Sequence, residues 1–334
     1  MSLRLAPTRR QLLVGAAATS AASAMPVMGV RTAVAQAAWP TRPVRVLVPY
    51  SPGGGADTVS RILFAKLSEM YGQQFIIDNR GGGGGTIGAA VVAKAERDGY
   101  TILYDATAFS ANPWLYAKLP YDTGKDFEPV FLASLVTNFL LVNNSVEAKT
   151  VADVIAIAKA APGVLDWASS GNGSVQHLCL EMFRHMAGVK LNHIPYRGGA
   201  PALNDLIAGQ VKFFFSNGAS SIGHVQSGTL KAIAYTGRGR LATLPDLPAV
   251  AETLPGFEAY EWNGVFVPAG TALEIVQKLN AGLNAVIGQP DIIERLKGLN
   301  VEFRRNTPDE FRAFVAAEID KWGRVVREAN IKLG

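Results

Sequence analysis

Two strand-like runs in this chain each lead into a glycine turn and then into a helical pattern. Residues 44–50 lead into the turn at 51–57, and residues 75–78 lead into five consecutive glycines at 81–85. A glycine turn ahead of a helix leaves backbone N–H groups exposed, and the helix dipole adds partial positive charge at that end. Such turns favour an anionic small molecule as the ligand, although glycine turns also simply join strands to helices.

Strand-like and helix-like patterns alternate from Val44 onward, which is typical of a parallel sheet with helices on its faces. A third turn, at 170–174, also follows a strand-like run and precedes a helical one. With 334 residues the chain can bury two cores. We therefore predict two α/β lobes whose turns meet at one cleft, because ligands of open α/β sheets bind at the carboxyl ends of strands.

The N-terminal segment has the pattern of a cleaved export signal. The pair Arg9-Arg10 precedes an apolar stretch at 12–30, and small residues provide a cleavage site after Ala35 or Ala37. We predict that residues 1–35 are a twin-arginine-type signal peptide and that the mature protein is periplasmic. The signal holds four arginines and no acid, so the mature chain is close to neutral and does not resemble a nucleic-acid-binding protein.

The titratable side chains form no familiar catalytic or metal-binding pattern. None of the four histidines lies at the three-to-five-residue spacing of a helical or finger-type metal pair, and the lone Cys179 sits in an apolar helical run. A serine hydrolase using Ser170 or Ser174 with His177 lacks the Gly-x-Ser-x-Gly turn and an orienting acid. We therefore expect no metal, no cofactor and no enzymatic activity.

An exported dinucleotide-dependent oxidoreductase is the alternative that the glycine run leaves open. Gly83, Gly85 and Gly88 satisfy the G-x-G-x-x-G pattern after a strand and before a helix, and Asp105 follows where a ribose-binding acid is wanted. A polyglycine run meets that pattern by chance, however, and no catalytic His, Lys or Tyr set is evident. Absorbance of a bound nicotinamide or flavin in the purified protein would decide for this alternative.

A series of short motifs runs in order from about residue 40 to the C-terminus. They are VPYSPGGGAD at 48–57, DNR at 78–80, DGYT at 98–101, LPYD at 119–122, KDF at 125–127, SGNGSVQHL at 170–178, HIPYRG at 193–198, AYT at 234–236, LPDLP at 244–248 and PAGT at 268–271. Together they resemble the Bug (TctC-like) family, the extracytoplasmic receptors of tripartite tricarboxylate transporters. So many motifs in order are far more specific than any one of them.

The resemblance implies a type II periplasmic-binding-protein fold, in which two α/β lobes joined by a two-crossing hinge close on a small organic carboxylate in the cleft between them. On this chain one lobe comprises residues 39–141 and 264–334, and the other comprises residues 142–263. We expect the hinge near 140–143 and 262–266, where the chain crosses between lobes. The resemblance also implies that the membrane subunits of a transporter are the partner, and we expect a monomer.

In that family, turns from both lobes hold the ligand carboxylate by backbone N–H and hydroxyl groups, and here those turns lie at 51–58, 84–87 and 169–175. Asp57 is expected to cap the helix that begins at Thr58, and Phe109, together with Trp262, is a candidate for the cleft wall. The predicted ligand-binding residues are Tyr50, Ser51, Gly54, Gly55, Ala56, Asp57, Thr58, Gly85, Thr86, Thr107, Phe109, Ser169, Ser170, Gly171, Asn172, Gly173, Ser174, Val175, His177, Tyr196, Arg197, Ser216 and Asn217.

The chain departs from the family pattern at two places. The second turn is all glycine from Gly81 to Gly85, without the proline and alanine usual there, and Ser216 stands where many relatives carry an acid. Because that acid is a partner for a ligand amino group, its loss favours a ligand without one.

Overall fold

The computed structural model describes residues 39–237, 239, 241, 243–328 and 331. Within them the chain forms one curled mixed sheet with helices packed on it, and the predicted signal peptide lies outside the described residues. The strands are β1 (Val44–Val48), β2 (Phe75–Asn79), β3 (Thr101–Ala106), β4 (Phe127–Val142), β5 (Asp166–Ser169), β6 (Asn192–Pro195), β7 (Phe213–Asn217), β8 (Lys231–Tyr235), β9 (Tyr260–Pro268) and β10 (Val301–Glu302). The helices are α1 (Gly55–Tyr71), α2 (Thr86–Ala93), α3 (Ala108–Leu115), α4 (Val151–Ala160), α5 (Val175–Ala187), α6 (Gly199–Ala208), α7 (Gly218–Gln226), α8 (Leu273–Val286), α9 (Pro290–Gly298) and α10 (Pro308–Glu328).

The strand order β2-β1-β3-β9-β4-β7-β5-β6 places the longest strand, β4, near the middle of the sheet. The outer strands on each side are parallel, because β1 pairs with β2 and β3, and β5 pairs with β6 and β7. By contrast, β9 and β4 run antiparallel to their neighbours, and β8 and β10 pair with β4 outside the main order. The α/β class predicted from the alternating patterns is confirmed.

β4 divides the sheet in two because it changes partners along its length. It pairs with β9 over residues 127–137 and with β7 and β8 over residues 138–142. We call the strands β1, β2, β3, β9 and β10 the first half-sheet and the strands β5 to β8 the second half-sheet. Since β9 begins at Tyr260, opposite Thr137, both changes of partner lie a few residues before the predicted hinge segments. The predicted lobe boundaries themselves remain a prediction.

Aromatic side chains fill the core on both half-sheets. Trp167 on β5 stacks on Phe213 with ring centroids 5.1 Å apart, and Phe109 on α3 stacks on Phe266 at 4.4 Å. All four side chains are almost completely buried. Each buries a large apolar area, so these stacks are major contributors to the stability of the fold.

The last helix, α10, packs on both half-sheets. Its first turns contribute Phe311 and Val315 to a cluster with residues of β1 and β3, and its last turns contribute Trp322 and Val326 to the cluster around Trp167. The predicted lobe boundaries assign this helix to one lobe only. Among the described helices, none combines the length and the apolar character that crossing a membrane requires.

Asn306, which lies just before α10, holds a backbone irregularity of β4. The register between β4 and β9 shifts between Leu132 and Ser134. At that point Asn306 Oδ1 accepts a hydrogen bond from Leu132 N, and Asn306 Nδ2 donates to Leu132 O, both at 2.9 Å. One buried side chain therefore satisfies the backbone N–H and the carbonyl group of Leu132, in place of a neighbouring strand.

We expect the substitution Asn306→Ala to lower the free energy of unfolding by about 1–3 kcal/mol, because it leaves buried polar groups of Leu132 without partners. The measurement is urea unfolding followed by circular dichroism. Asn144→Ala is the control, since Asn144 is exposed and bonds only the carbonyl oxygens of Gly228 and Thr229. Equal effects of the two substitutions would contradict the role given to Asn306.

Candidate functional site

A small cleft lies at the carboxyl ends of β1, β3, β5 and β7. Five helices, α1, α3, α5, α6 and α7, begin at its wall. Each brings the unsatisfied N–H groups of its first turn and the positive end of its dipole to the same space, which makes the cleft an anion-binding environment. The lining residues are Tyr50, Gly54, Gly55, Ala56, Ala106, Thr107, Ala108, Ser170, Ser174, Val175, Gln176, Gly199, Asn217 and Glu261.

Three of these helices begin without a side-chain cap. Gly54, Thr107 and Gly198 precede α1, α3 and α6, and none of them offers a side-chain hydrogen bond to the first turn. By contrast, Ser174 caps α5 and Asn217 caps α7, each by accepting a hydrogen bond from a backbone N–H. The first turns of α1, α3 and α6 therefore keep N–H groups available for a ligand.

No basic side chain is found among the described residues that line the cleft. Arg197, a predicted ligand-binding residue, is outside the lining, and its carbonyl oxygen accepts a hydrogen bond from Ser51 Oγ at 2.9 Å. The donors that the cleft offers to an anion are backbone N–H groups, hydroxyls and side-chain amides. Each is neutral, so the charge of a bound anion is balanced by dipoles rather than by a cation.

The structure brings nine of the predicted ligand-binding residues together in the lining and leaves the others outside it. The nine are Tyr50, Gly54, Gly55, Ala56, Thr107, Ser170, Ser174, Val175 and Asn217. The predicted residues outside the lining are Ser51, Asp57, Thr58, Gly85, Thr86, Phe109, Ser169, Gly171, Asn172, Gly173, His177, Tyr196, Arg197 and Ser216.

Asp57 lies inside α1, because the helix begins two residues earlier, at Gly55. Its carboxylate accepts a hydrogen bond from Gly53 N at 2.8 Å and pairs with Arg61 at 2.9 Å. Burial acts to raise the pKa of Asp57, but hydrogen bonds from Arg61, Gly53 and Asn79 outweigh it and hold the pKa below its ordinary value. The prediction that Asp57 caps the helix is wrong, since Asp57 instead braces the turn that leads into it.

Phe109 and Trp262 belong to the core and not to the wall of the cleft. Each is 1% exposed. Phe109 stacks on Phe266, and the ring of Trp262 meets the edge of Phe311 with centroids 6.0 Å apart. The prediction that they wall the cleft is therefore wrong, because both rings point into the layer between the first half-sheet and α10.

The five-glycine turn contacts the opposite loops instead of lining the cleft. A Cβ atom on Gly84 would overlap the carbonyl oxygen of Asn172, and one on Gly81 would lie 2.7 Å from the carbonyl oxygen of Arg197. The left-handed φ of +60° at Gly84 is also one that a glycine adopts without strain. These glycines therefore allow a turn of the first half-sheet to touch the backbone of two loops of the second.

The turn at 170–174 rests on the buried His177 and the half-buried His193. The rings of His177 and His193 stack with centroids 4.2 Å apart, His177 Nδ1 accepts a hydrogen bond from Gly173 N at 3.2 Å, and Ser169 Oγ lies 2.6 Å from His193 Nε2. Burial lowers the pKa of His177 to about 3 and that of His193 to about 4, so both are neutral near pH 7. They support the turn, of which Ser170 and Ser174 line the cleft.

Three other residues that were predicted to bind the ligand direct their hydroxyl groups to partners within the protein. The hydrogen bonds run from Thr58 Oγ1 to Gly54 O, from Thr86 Oγ1 to Gly83 O and from the Tyr196 hydroxyl to Asp205 Oδ2. Ser216 is buried within β7, where it pairs in register with Phe139 of β4.

Five lining residues were missed by the sequence analysis: Ala106, Ala108, Gln176, Gly199 and Glu261. The first four flank residues that were singled out, so wider margins around each turn would have included them. Glu261 lies in the otherwise buried strand β9, two residues before Asn263 and on the same face of the strand. Two polar residues on one face of such a strand were the signal available in the sequence.

Two buried carboxyl groups lie at the bottom of the site. Gln176 Nε2 donates to Glu261 Oε2 at 2.5 Å, and the Tyr50 hydroxyl donates to Asp105 Oδ1 at 2.9 Å. Burial raises the pKa of Glu261 above its ordinary value and raises that of Asp105 to about 7. The Asp105 carboxyl is therefore partly protonated near neutral pH, and it fixes the hydroxyl of Tyr50 beside the cleft.

Comparison with known proteins identifies the family. The family model described as "Tripartite tricarboxylate transporter family receptor" matches residues 59–331. The chain belongs to this receptor family. Among solved structures, it is 38% identical to Rpa4515 of R. palustris with adipate, at a TM-score of 0.86 over 88% of this chain and 100% of that one. It is 34% identical to the periplasmic binding protein BugD, with a TM-score of 0.86 and coverages of 88% and 100%. MatC of Rhodopseudomonas palustris with bound malate is 32% identical, with a TM-score of 0.83 and coverages of 86% and 100%.

Membership confirms the predicted Bug family and the periplasmic-binding-protein fold. The family and its solved members are substrate-binding receptors and not enzymes. The oxidoreductase alternative receives no support from these relatives. In the structure the G-x-G-x-x-G segment follows the edge strand β2, and Gly84 within it lies against the carbonyl oxygen of Asn172.

We expect Asp105→Asn to remove a pH dependence of stability. The folded-state pKa of Asp105 lies above that of an unfolded aspartate, so its contribution to stability is fully present below about pH 4 and is lost as the pH rises to about 7. The unfolding free energy of the wild type, measured against that of the variant by urea titration, should fall by up to about 4 kcal/mol over that interval. The exposed turn residue Asp246, changed to Asn, serves as the control. A constant difference between wild type and Asp105→Asn would contradict the assignment.

Proposed function

We propose that this protein is an extracytoplasmic receptor that captures a small organic carboxylate and delivers it to the membrane subunits of a tripartite tricarboxylate-type transporter. The observation that carries the proposal is the meeting of five helix N-termini, with no basic side chain among the described lining residues, at one small cleft. Two similar structures, Rpa4515 and MatC, contain adipate and malate, which are both carboxylates.

The carboxylate would be held by backbone N–H groups of residues 54–56 and 107–108 and by the hydroxyls of Ser170 and Ser174. A neutral hydrogen bond contributes about 0.5–1.5 kcal/mol net, so several of them add up to a moderate affinity. Moderate affinity suits a receptor that must also release its ligand. A buried arginine clamp would bind more tightly and release more slowly.

Closure of two lobes would trap the ligand, with flexing near the changes of partner at Thr137 and Tyr260. The contacts between the half-sheets support this motion: Ser51 Oγ donates to Arg197 O, and the turn at Gly84 touches the backbone of Asn172. These two contacts are polar and lie at exposed or part-buried positions, so they can break when the cleft opens. A ligand that bridges both sides would favour the closed state, which the transporter would recognise.

The predicted signal peptide would bring the receptor to the periplasm by twin-arginine export. The similar structure BugD is described as a periplasmic binding protein, which supports that location. We propose that the mature protein acts as a monomer.

We expect Ser174→Asp to weaken carboxylate binding by more than 100-fold with little change in stability. Aspartate is as good an N-cap as serine, so α5 is preserved, while the ligand loses a hydroxyl donor and faces a negative charge. The measurement is calorimetric titration with the tightest binder among C3 to C8 mono- and dicarboxylates and amino acids. Thr150→Asp is the matched control, because Thr150 caps α4 in the same way and does not line the cleft. Unchanged affinity of Ser174→Asp would contradict the proposal.

We expect Gly84→Ala to reduce affinity and to prevent the ligand-induced compaction of the protein in small-angle X-ray scattering, because its methyl group would meet the carbonyl oxygen of Asn172. Gly188→Ala is the matched control, since Gly188 has a φ of +62° against +60° at Gly84 but a Cβ atom there would have no neighbouring atom within 4 Å. The two variants should lose similar stability from backbone strain. Normal compaction of Gly84→Ala would remove this turn from the closing contact.

A further inference from the structure

Glu261 is an acidic side chain in a cleft whose other features all favour an anion. It belongs to β9, lines the cleft together with Ser174, Gln176 and Asn217, and is 6% exposed. A negative charge at this position opposes the capture of a carboxylate. The helix N-termini alone therefore do not explain why an acid lines this cleft.

The groups that face the Glu261 carboxyl are neutral amides. Gln176 Nε2 donates to it at 2.5 Å, and the side chains of Asn217 and Asn263 face it as well. An ionised carboxylate buried among neutral groups is costly unless a positive charge pairs with it. No described residue forms a salt bridge with Glu261, and no basic residue is found among those described in the lining.

The amide of Asn217 is oriented by the protein so that its nitrogen faces Glu261. Its Oδ1 caps α7 by accepting a hydrogen bond from Ala219 N, which leaves its buried Nδ2 directed at the Glu261 carboxyl. Asn217 is 4% exposed and lines the cleft beside Glu261. Asn217 is thus one more neutral donor to the acid, and a positive charge beside the acid is what the described residues of the lining do not supply.

We propose that Glu261 is a specificity-determining residue that accepts hydrogen bonds from a protonated amino group of the ligand, so that the ligand is a zwitterionic amino-carboxylate. This inference rests on the proposed function, because the carboxylate of the same ligand occupies the helix N-termini. The ammonium group supplies the cation that Glu261 lacks. A dicarboxylate, in contrast, places a second negative charge against Glu261 and is disfavoured.

The proposal opposes an expectation drawn from the sequence. Ser216 in place of an acid favoured a ligand without an amino group, on the premise that the cleft has no carboxyl group to receive one. Glu261 provides a carboxyl group from a different strand. The acid is thus contributed by β9 of the first half-sheet instead of β7 of the second.

The substitution Glu261→Gln distinguishes two roles. In one, an ionised Glu261 pairs with a ligand ammonium group; in the other, a neutral Glu261 donates a hydrogen bond to a second ligand carboxylate. Glutamine matches the size of a protonated glutamic acid and retains a donor, so a site in which neutral Glu261 donates to a second ligand carboxylate would keep its affinity in the variant. A site in which ionised Glu261 pairs with an ammonium group loses the charge and the acceptor pair. We expect a 10- to 100-fold loss of affinity for the amino-carboxylate.

The experiment is calorimetric titration of wild type and variant with ligand pairs that differ only in the amino group. The pairs are L-glutamate and glutarate, L-leucine and 4-methylpentanoate, and L-phenylalanine and 3-phenylpropanoate. In the pair that binds most tightly, the wild type should prefer the amino member by at least tenfold, and Glu261→Gln should abolish or invert that preference. Glu147→Gln, an exposed substitution, should leave it unchanged.

Each other outcome overturns the inference. If the wild type binds glutarate, 4-methylpentanoate or 3-phenylpropanoate as tightly as its amino partner, Glu261 does not select an ammonium group, although the proposed carboxylate receptor stands. If Glu261→Gln keeps the amino preference, another residue provides it. If no mono- or dicarboxylate or amino acid binds to the wild type, both this inference and the proposed function fail.

Discussion

The meeting of helix N-termini at one cleft is the constraint on which the rest of this structure depends. Each first turn brings N–H groups that need an acceptor, and bringing several positive dipole ends together is unfavourable unless negative charge lies between them. The topology creates this arrangement, because β1, β3, β5 and β7 all end at the cleft and a helix begins soon after each. An anion satisfies the donors of both half-sheets at once. Under the proposed function, binding of the ligand and the joining of the two halves are therefore the same physical event.

The way in which the halves are joined leaves that event reversible. β4 pairs with strands of both half-sheets and α10 packs on both cores. The halves therefore stay connected by the chain and by apolar packing whether the cleft is open or closed. Contacts between the halves at the cleft include the hydrogen bond from Ser51 to the backbone of Arg197 and that from Gln176 to Glu261, and glycines remove side chains that would separate the two surfaces. Such contacts bury little apolar area and contribute little free energy on their own. The balance between open and closed forms is then left to the ligand.

Local sequence patterns predicted the alternating strands and helices and the turns at 51–57 and 170–174, because backbone conformation and helix starts depend on neighbouring residues. Those turns supply most of the correctly placed lining. Failures arose where tertiary packing decides the direction of a side chain. Phe109 directly follows the lining residue Ala108 and yet enters the core, and the five-glycine turn serves contact between loops. Glu261 escaped because its strand comes to the cleft only through pairing of β9 with β3 and β4, a long-range arrangement that no local pattern encodes.

The positive ends of the helix dipoles explain why the cleft can contain an acid. The helix dipoles that attract a ligand carboxylate also stabilise the carboxylate of Glu261, so the acid and the ligand draw on the same partial positive charge. In a cleft shielded from water, a second negative group gains less from those dipoles than the first and is repelled by it. A ligand that carries its own positive group avoids this competition, because its two charges match the two kinds of group in the lining. If Glu261 receives an ammonium group as proposed, the charge distribution of the ligand, more than its length, decides which carboxylates the cleft accepts.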